Sequence, residues 1–90
     1  MINNFVFTNQ AKEELIKLDK KTQEFILLKL KSLKVHPSIF VVLKKIVNIK
    51  YVDYRLRIGN YRLLIKEEKQ TPSSRNFIIL KLAHRKSIYT

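Results

Sequence analysis

The sequence predicts an α+β fold, a two-layer α/β arrangement in which a small antiparallel sheet packs against an N-terminal helical hairpin. Residues 10–34 repeat apolar side chains at helical spacing, residues 51–66 alternate apolar and polar side chains, and residues 77–82 are almost continuously apolar. Helical periodicity followed by strand-like runs is typical of helices that cover one face of a sheet. We expect the order β-α-α-β-β-β in a single domain that covers residues 1–90.

The N-terminal third predicts one strand and two helices. Residues 3–7 alternate two phenylalanines as a short strand does, and Thr8-Asn9 offers two residues that can cap a helix. A first helix is expected from about Gln10 to Leu18. A second is expected from about Lys20 to Lys34 with Asp19 as its N-cap, and the two form a helical hairpin with an apolar stripe.

The middle of the chain is less clearly patterned. Pro37 ends the second helix, because proline cannot continue it and disfavours helical geometry at the preceding residue. Residues 39–43 form either a strand or the buried part of a long connection. Residues 67–76 form a polar loop. Residues 77–82 form a central strand that is covered on both of its faces.

Residues 51–66, YVDYRLRIGNYRLLIK, predict a β-hairpin that turns at Gly59-Asn60, where the only glycine of the sequence lies. A two-residue loop there pairs Arg57 with Arg62 on one face of the hairpin. Like charges directly opposite each other destabilise a sheet unless an anion lies between them, although both arginines can also extend into water. The other face is apolar and carries Tyr54, Leu56, Ile58, Tyr61, Leu63 and Ile65.

Composition limits the classes of function that the sequence can serve. The net charge of +12 indicates an anionic partner, with nucleic acid the first candidate, and all five arginines lie after residue 54. Absence of cysteine excludes disulfides and thiolate chemistry, and the two histidines are too few for a histidine-only metal site. We therefore expect no metal and no cofactor. Without an apolar run of about 20 residues or a signal peptide, a cytoplasmic protein with no membrane contact is expected.

Several stretches in fixed order resemble the RelE/ParE superfamily of bacterial toxin–antitoxin systems. FTNQAKEELIKLDKKTQEFILLKLKSL resembles the N-terminal helical pair of that superfamily, LKKIVNIKYVDYRLRIGNYRLLI resembles its hairpin block, and HRKSIY resembles its C-terminal ending. The resemblance implies a toxin. RelE-type members cut mRNA in the ribosomal A site without a metal, by activating a ribose 2′-hydroxyl to attack the adjacent phosphate. ParE-type members inhibit DNA gyrase instead, and an inactive RNA-binding relative is a further alternative.

The resemblance also implies roles for individual residues. Arg62 matches the arginine that holds the phosphate, Arg85 matches the arginine after the last strand, and Tyr89 matches a tyrosine that orients or stacks on the substrate. His84 is a candidate acid or base, and a structural histidine at the strand end is an equally good interpretation. The residues expected to contact RNA phosphates are Arg55, Arg57, Lys44, Lys45 and Lys81.

The sequence departs from the superfamily pattern at the general base. Some RelE enzymes carry two lysines at alternate positions of the first hairpin strand, where this chain has Asp53 and Arg55. Arginine stays protonated, so Arg55 can only stabilise charge, and Asp53 is a weak base beside two arginines. His36, next to Pro37, is expected to be structural or exposed.

A toxin of this kind implies partners as well as a substrate. The expected partners are an acidic cognate antitoxin, the ribosome and its mRNA, and operator DNA bound only through the antitoxin. A basic surface is complemented by an acidic one across an interface, which makes such a complex sensitive to salt.

Overall fold

The computed structural model describes residues 1–86. Its elements follow the order β1 (Ile2–Phe7), α1 (Asn9–Ile16), α2 (Lys20–Leu33), a short 3-10 helix (Ile39–Val41), β2 (Leu43–Lys45), β3 (Tyr54–Ile58), β4 (Tyr61–Glu67) and β5 (Ser74–His84). The α+β class and the helical hairpin expected from the sequence are thereby confirmed. No helix within the described residues has the length and apolar character needed to cross a membrane.

The five strands form one sheet in the order β1-β5-β4-β3-β2. Strands β3, β4 and β5 form the expected antiparallel meander, and the hairpin register is confirmed, with Arg57 opposite Arg62. Two expectations were wrong. A fifth strand, β2, precedes the hairpin, and the sheet is mixed rather than antiparallel, because β1 pairs with β5 in parallel. The two helices carry the chain from β1 at one edge of the sheet to β2 at the other.

The polar loop expected over residues 67–76 is shorter than the sequence indicates. Ser74, Arg75 and Asn76 belong to β5, since each has a pairing partner in β1. Strand β5 runs on past Phe7, the last residue of β1, and Glu14 of α1 takes the place of the missing neighbour. Its carboxylate accepts the N–H of Leu82 at 2.8 Å. The contact ties α1 to the sheet.

Local capping and apolar spacing explain both helices. The Thr8 hydroxyl accepts the N–H of Ala11, and the Asp19 carboxylate accepts the N–H of Thr22, so both helices begin at a side-chain cap. The buried side of the helical layer packs against the apolar face of the hairpin. The hydrophobic core between the helices and the sheet consists of Ala11, Leu15, Ile26, Leu30, Leu33, Ile39, Leu43, Leu56, Ile58, Leu63, Ile65, Phe77, Ile79 and Leu82.

The hairpin turns at Gly59 with positive φ (59°), which glycine adopts without steric cost. The helical layer reaches this turn. A β-carbon on Gly59 would lie 3.1 Å from Cε2 of Phe25 in α2, so the ring lies directly against the turn. Glycine is required here for its backbone conformation and for the close approach of α2.

Candidate functional site

The arginines of the hairpin lie on the sheet face opposite the helices, together with lysines from neighbouring strands. Lys44, Arg55, Leu64 and Lys81 form one row across four strands, since each is paired with the next. Arg57, Arg62 and Ala83 form the adjacent row. We call this surface the cationic face and define it by Lys44, Arg55, Arg57, Arg62, Lys66 and Lys81. Paired residues of a sheet point to the same side, so the six cations share one surface.

Arg62 lies at the centre of the cationic face, on the middle strand of the sheet. Its Nε is buried and has no hydrogen-bond partner among residues 1–86, although Arg62 as a whole is only half-buried. Arg57 on the neighbouring strand is exposed, and its Nε donates to the carbonyl of Gly59 at 3.4 Å. A buried N–H without a partner and a second guanidinium directly opposite both disfavour the unliganded state and favour an anion that accepts from Arg62.

Arg85 extends the cationic face beyond the end of β5. Its backbone N–H donates to the carbonyl of Asn60 at 2.8 Å, which continues the β4–β5 register by one pair. Arg85 lies in the turn that follows β5, two positions beyond Ala83, which is paired with Arg62, and its side chain is exposed. Residues that the sequence separates by 23 positions thereby come to the same end of the sheet.

His84 faces the other way. It is paired with Tyr61, whose side chain packs on the core side of the sheet, and the two rings make an edge-to-face contact with centroids 5.5 Å apart. The Nδ1 atom accepts the N–H of Lys86 at 3.3 Å. The structure therefore brings Arg62 and Arg85 to the same end of the sheet and places His84 on the face opposite Arg62, at the open end of β5.

The two other titratable candidates have structural contacts. The carboxylate of Asp53 accepts the N–H of Glu67 at 2.8 Å, and the Asp53 N–H donates to Ile65, so Asp53 extends the β3–β4 ladder. His36 accepts the N–H of Ser38 on Nδ1 and thereby stabilises the turn after α2. Neither ring nor carboxylate is directed at the row that contains Arg62.

Two lysines extend the sequence-based assignment. Lys45 is paired with Tyr54, so its strand position faces the core side of the sheet, but the residue lines a recess together with Lys44 and Arg55. Lys66 was not singled out, although it follows Leu64 by two residues and shares its face. The same alternation that located the arginines could have found it. Tyr89 lies outside the described residues, and no cluster of metal ligands occurs within residues 1–86.

The surroundings of Tyr54 and Asp19, both away from the cationic face, shift the pKa of each side chain. Burial, with a smaller contribution from the Glu67 carboxylate, raises the pKa of Tyr54, whose hydroxyl donates to Glu67 at 3.3 Å. Hydrogen bonds from the side chain and backbone of Thr22 lower the pKa of the Asp19 carboxyl. The first shift reports on packing of β3 and the second on the cap of α2.

A groove of about 590 Å³ lies between strand β1 and helix α2. Its walls are the edge of β1 and a mixed apolar and basic side of α2, with Leu27, Lys31 and Lys34 among the lining residues. Val6 is 61% exposed and Leu27 is 46% exposed, so apolar surface is accessible along both walls. Exposed apolar side chains beside an open strand edge are typical of a protein-binding surface.

Comparison with known proteins relates the fold to one group of complexes. No family model and no curated protein matches the sequence. A chain of the toxin–antitoxin complex RelBE2 from Mycobacterium tuberculosis has a TM-score of 0.73 at 22% identity, over 94% of this chain and 100% of that one. A chain of the RelB–RelE antitoxin–toxin complex from Methanococcus jannaschii has a TM-score of 0.66 at 28% identity, over 93% and 94%. A chain of the archaeal RelE–RelB complex from Pyrococcus horikoshii has a TM-score of 0.66 at 23% identity, over 97% and 99%.

Proposed function

We propose that this chain, a RelE-like toxin by its fold, is a ribosome-dependent mRNA endonuclease that a cognate antitoxin inhibits. The observation that supports the nuclease is the cationic face, because Arg57 and Arg62 are held opposite each other with a buried N–H of Arg62 unpartnered. A phosphodiester satisfies both requirements, since it accepts hydrogen bonds and neutralises the repulsion.

The reaction that these residues support is an intramolecular transfer at phosphorus. The ribose 2′-oxygen attacks the adjacent phosphate, the bond from phosphorus to the 5′-oxygen of the next nucleotide breaks, and a 2′,3′-cyclic phosphate and a 5′-hydroxyl result. Arg62 and Arg57 stabilise the additional negative charge on the phosphoryl oxygens. Arg85, at the same end of the sheet, stabilises the departing 5′-oxygen. Arg55, Lys44 and Lys81 bind flanking phosphates.

The proton transfers need a group other than these cations. The 2′-hydroxyl loses one proton and the 5′-oxygen gains one, so a single acid–base residue that shuttles a proton balances the reaction. His84 is our candidate. The His84 ring lies on the same side of the sheet as Tyr61, opposite the cationic face. RNA bound to the cationic face must therefore pass around the open end of β5, near Arg85, to reach His84. Tyr89 is proposed to position the RNA.

The endonuclease is tested by mapping mRNA ends in a translating extract that receives the purified protein. We expect codon-spaced cleavage by the wild type and at least a 100-fold loss with Arg62→Ala, in the range for removal of one transition-state donor. Lys29→Ala is the matched control, because it removes one positive charge from an exposed position of α2. Intact mRNA and normal translation with the wild type would contradict the proposal. Inhibition of supercoiling by purified gyrase would then favour the ParE-like activity, and normal growth of induced cells an inactive relative.

The role of His84 is tested separately from that of Arg62. Replacement by Gln keeps a planar polar group against Tyr61 but removes proton transfer, so cleavage is expected to fall while RNA binding is retained. A lowered thermal midpoint with unchanged cleavage per folded molecule would instead assign His84 a structural role at the end of β5.

The proposed antitoxin binds in the groove between β1 and α2. Lys31 and Lys34 offer positive charge beside apolar side chains, which suits an acidic segment with apolar anchors that runs along the edge of β1. Leu27→Glu is expected to weaken the complex at least tenfold in a titration with the purified partner. Leu28→Glu is the matched control, since Leu28 is 66% exposed on the same helix and outside the groove lining. Equal effects of both variants would exclude this groove.

A further inference from the structure

The cationic face carries a structured loop as well as strands. The loop of residues 46–53 connects β2 to β3 and lies on the cationic face. A small apolar cluster, in which Val52 packs with Leu64 of β4, fixes it to the sheet. Ile46, Ile49, Leu80 and Ala83 complete the cluster. Because Leu64 lies between Arg55 and Lys81 in one row and Ala83 follows Arg62 in the next, the loop borders both rows.

Tyr51 occupies a strained position at the turn of this loop. The N–H of Val52 donates to the carbonyl of Ile49 at 3.2 Å, so residues 49–52 form a β-turn with Tyr51 in its third position. Tyr51 has φ of 67°, and no other non-glycine residue among residues 1–86 has positive φ. Glycine or asparagine usually occupies a turn position with this φ, because a larger side chain is strained there. Backbone strain of this kind is concentrated at functional sites.

The ring of Tyr51 is exposed to solvent rather than packed in the core. It is 72% exposed, and Nζ of Lys50 lies 5.4 Å from its centroid. The same loop also walls a basic recess of about 490 Å³, lined by Lys44, Lys45 and Arg55 together with residues 46–48. Tyr51 follows Asn48 by three residues, so their α-carbons are at most about 10 Å apart. An aromatic ring therefore lies within reach of a site suited to an anion.

We propose that Tyr51 stacks on an unpaired RNA base next to the nucleotide whose phosphate the recess binds. The proposal rests on the proposed function and adds to it a second element that positions the substrate. An exposed aromatic ring beside cations is the arrangement by which proteins hold single-stranded nucleic acid, since every base has a flat face and each carries a phosphate. An exposed tyrosine therefore occupies a turn position that glycine would adopt without strain. Lys50, against the ring, adds charge for the phosphate of that nucleotide.

A fluorescent reporter tests the stacking directly, because the sequence contains no tryptophan. Tyr51→Trp places a single indole at the turn, and binding of a short single-stranded oligoribonucleotide at low salt is expected to quench it by at least half. Leu28→Trp, on the exposed side of α2, is the control and should not be quenched at saturation. An oligomer with the same number of phosphates but abasic sugars should bind without quenching. Equal quenching of both indoles, or none at position 51, overturns the proposal.

Relief of strain separates stacking from a structural role. Tyr51→Asn is compatible with positive φ, so it is expected to raise the thermal midpoint by several °C, while oligoribonucleotide affinity falls at least fivefold. Tyr51→Phe keeps the ring and should retain the affinity. Retained affinity in Tyr51→Asn would overturn the proposal. The endonuclease proposal survives the loss of the stacking proposal if Arg62→Ala weakens RNA binding and mRNA is cleaved in the extract. If RNA binding is unchanged in Arg62→Ala and mRNA stays intact, the endonuclease and stacking proposals both fail.

Discussion

Arg62 is expected to lower the free energy of unfolding, and replacing it with methionine should therefore stabilise the protein. Methionine keeps an unbranched apolar stem of similar length but removes the charge and the buried, unpartnered Nε. Because Ile58 and Tyr61 close the two-residue loop as a hydrogen-bonded pair, Arg57 and Arg62 form the next, non-hydrogen-bonded pair. Side chains approach most closely in such pairs, with α-carbons about 4.5 Å apart.

The magnitude follows from two contributions. Two guanidinium charges at roughly 7 Å repel by about 0.6 kcal/mol in water, and physiological salt reduces this further. A buried donor without a partner destabilises by about 1 kcal/mol at the lower end of its range. Arg62→Met should therefore raise the free energy of unfolding by about 1 kcal/mol, which shifts the thermal midpoint by roughly 4–8 °C for a domain of this size.

Thermal unfolding followed by circular dichroism measures this shift, in chloride buffer without multivalent anions. A double-mutant cycle with Arg57→Met isolates the repulsion, since Arg62→Met should stabilise less when Arg57 is already methionine. Inorganic phosphate should raise the midpoint of the wild type more than that of the variant. A lower midpoint for Arg62→Met, or no coupling between the two positions, would refute the argument and make Arg62 a structural residue.

Three further predictions concern the rest of the fold. Asn3→Ala should reduce the free energy of unfolding by about 2 kcal/mol, because the buried amide donates to the carbonyls of Leu33, at the end of α2, and of His36, just beyond it, each at 2.9 Å. Gly59→Ala should cost about 1–2 kcal/mol, since positive φ and the 3.1 Å approach of Phe25 both oppose a β-carbon. The raised pKa of Tyr54 predicts a contribution to stability that is complete below pH 10 and is lost as the pH rises above 10, because the tyrosine of the unfolded chain ionises first. Urea unfolding in alkaline buffers measures this loss of stability.

Matched variants distinguish these effects from general damage. The amide of Asn4 donates to the side-chain oxygen of Asn76 at 3.0 Å, and the residue is half-exposed, so Asn4→Ala should change stability much less than Asn3→Ala. Phe25→Ala should recover part of the loss in Gly59→Ala, and complete recovery would show that the contact alone matters. Tyr54→Phe should remove the alkaline dependence, and an unchanged slope in that variant would assign it to other groups.

Sequence patterns alone determined much of this protein. Alternation around Gly59 fixed the hairpin register and placed Arg55, Arg57 and Arg62 on one face, because strand side chains have a period of two. Helical spacing and the Asp19 cap located α2 with its N-terminus correct. These features depend on neighbours within a few positions, which the sequence displays directly.

Tertiary structure alone decided which distant residues meet. The parallel pairing of β1 with β5 recruited Ser74, Arg75 and Asn76 into a strand from a polar loop that has no strand pattern of its own. Pairing of His84 with Tyr61 and of Arg62 with Ala83 separated two residues that the sequence suggested for one site, because adjacent positions of a strand point to opposite faces. The sequence shows the alternation of each strand, but only the register between strands determines which side chains share a surface.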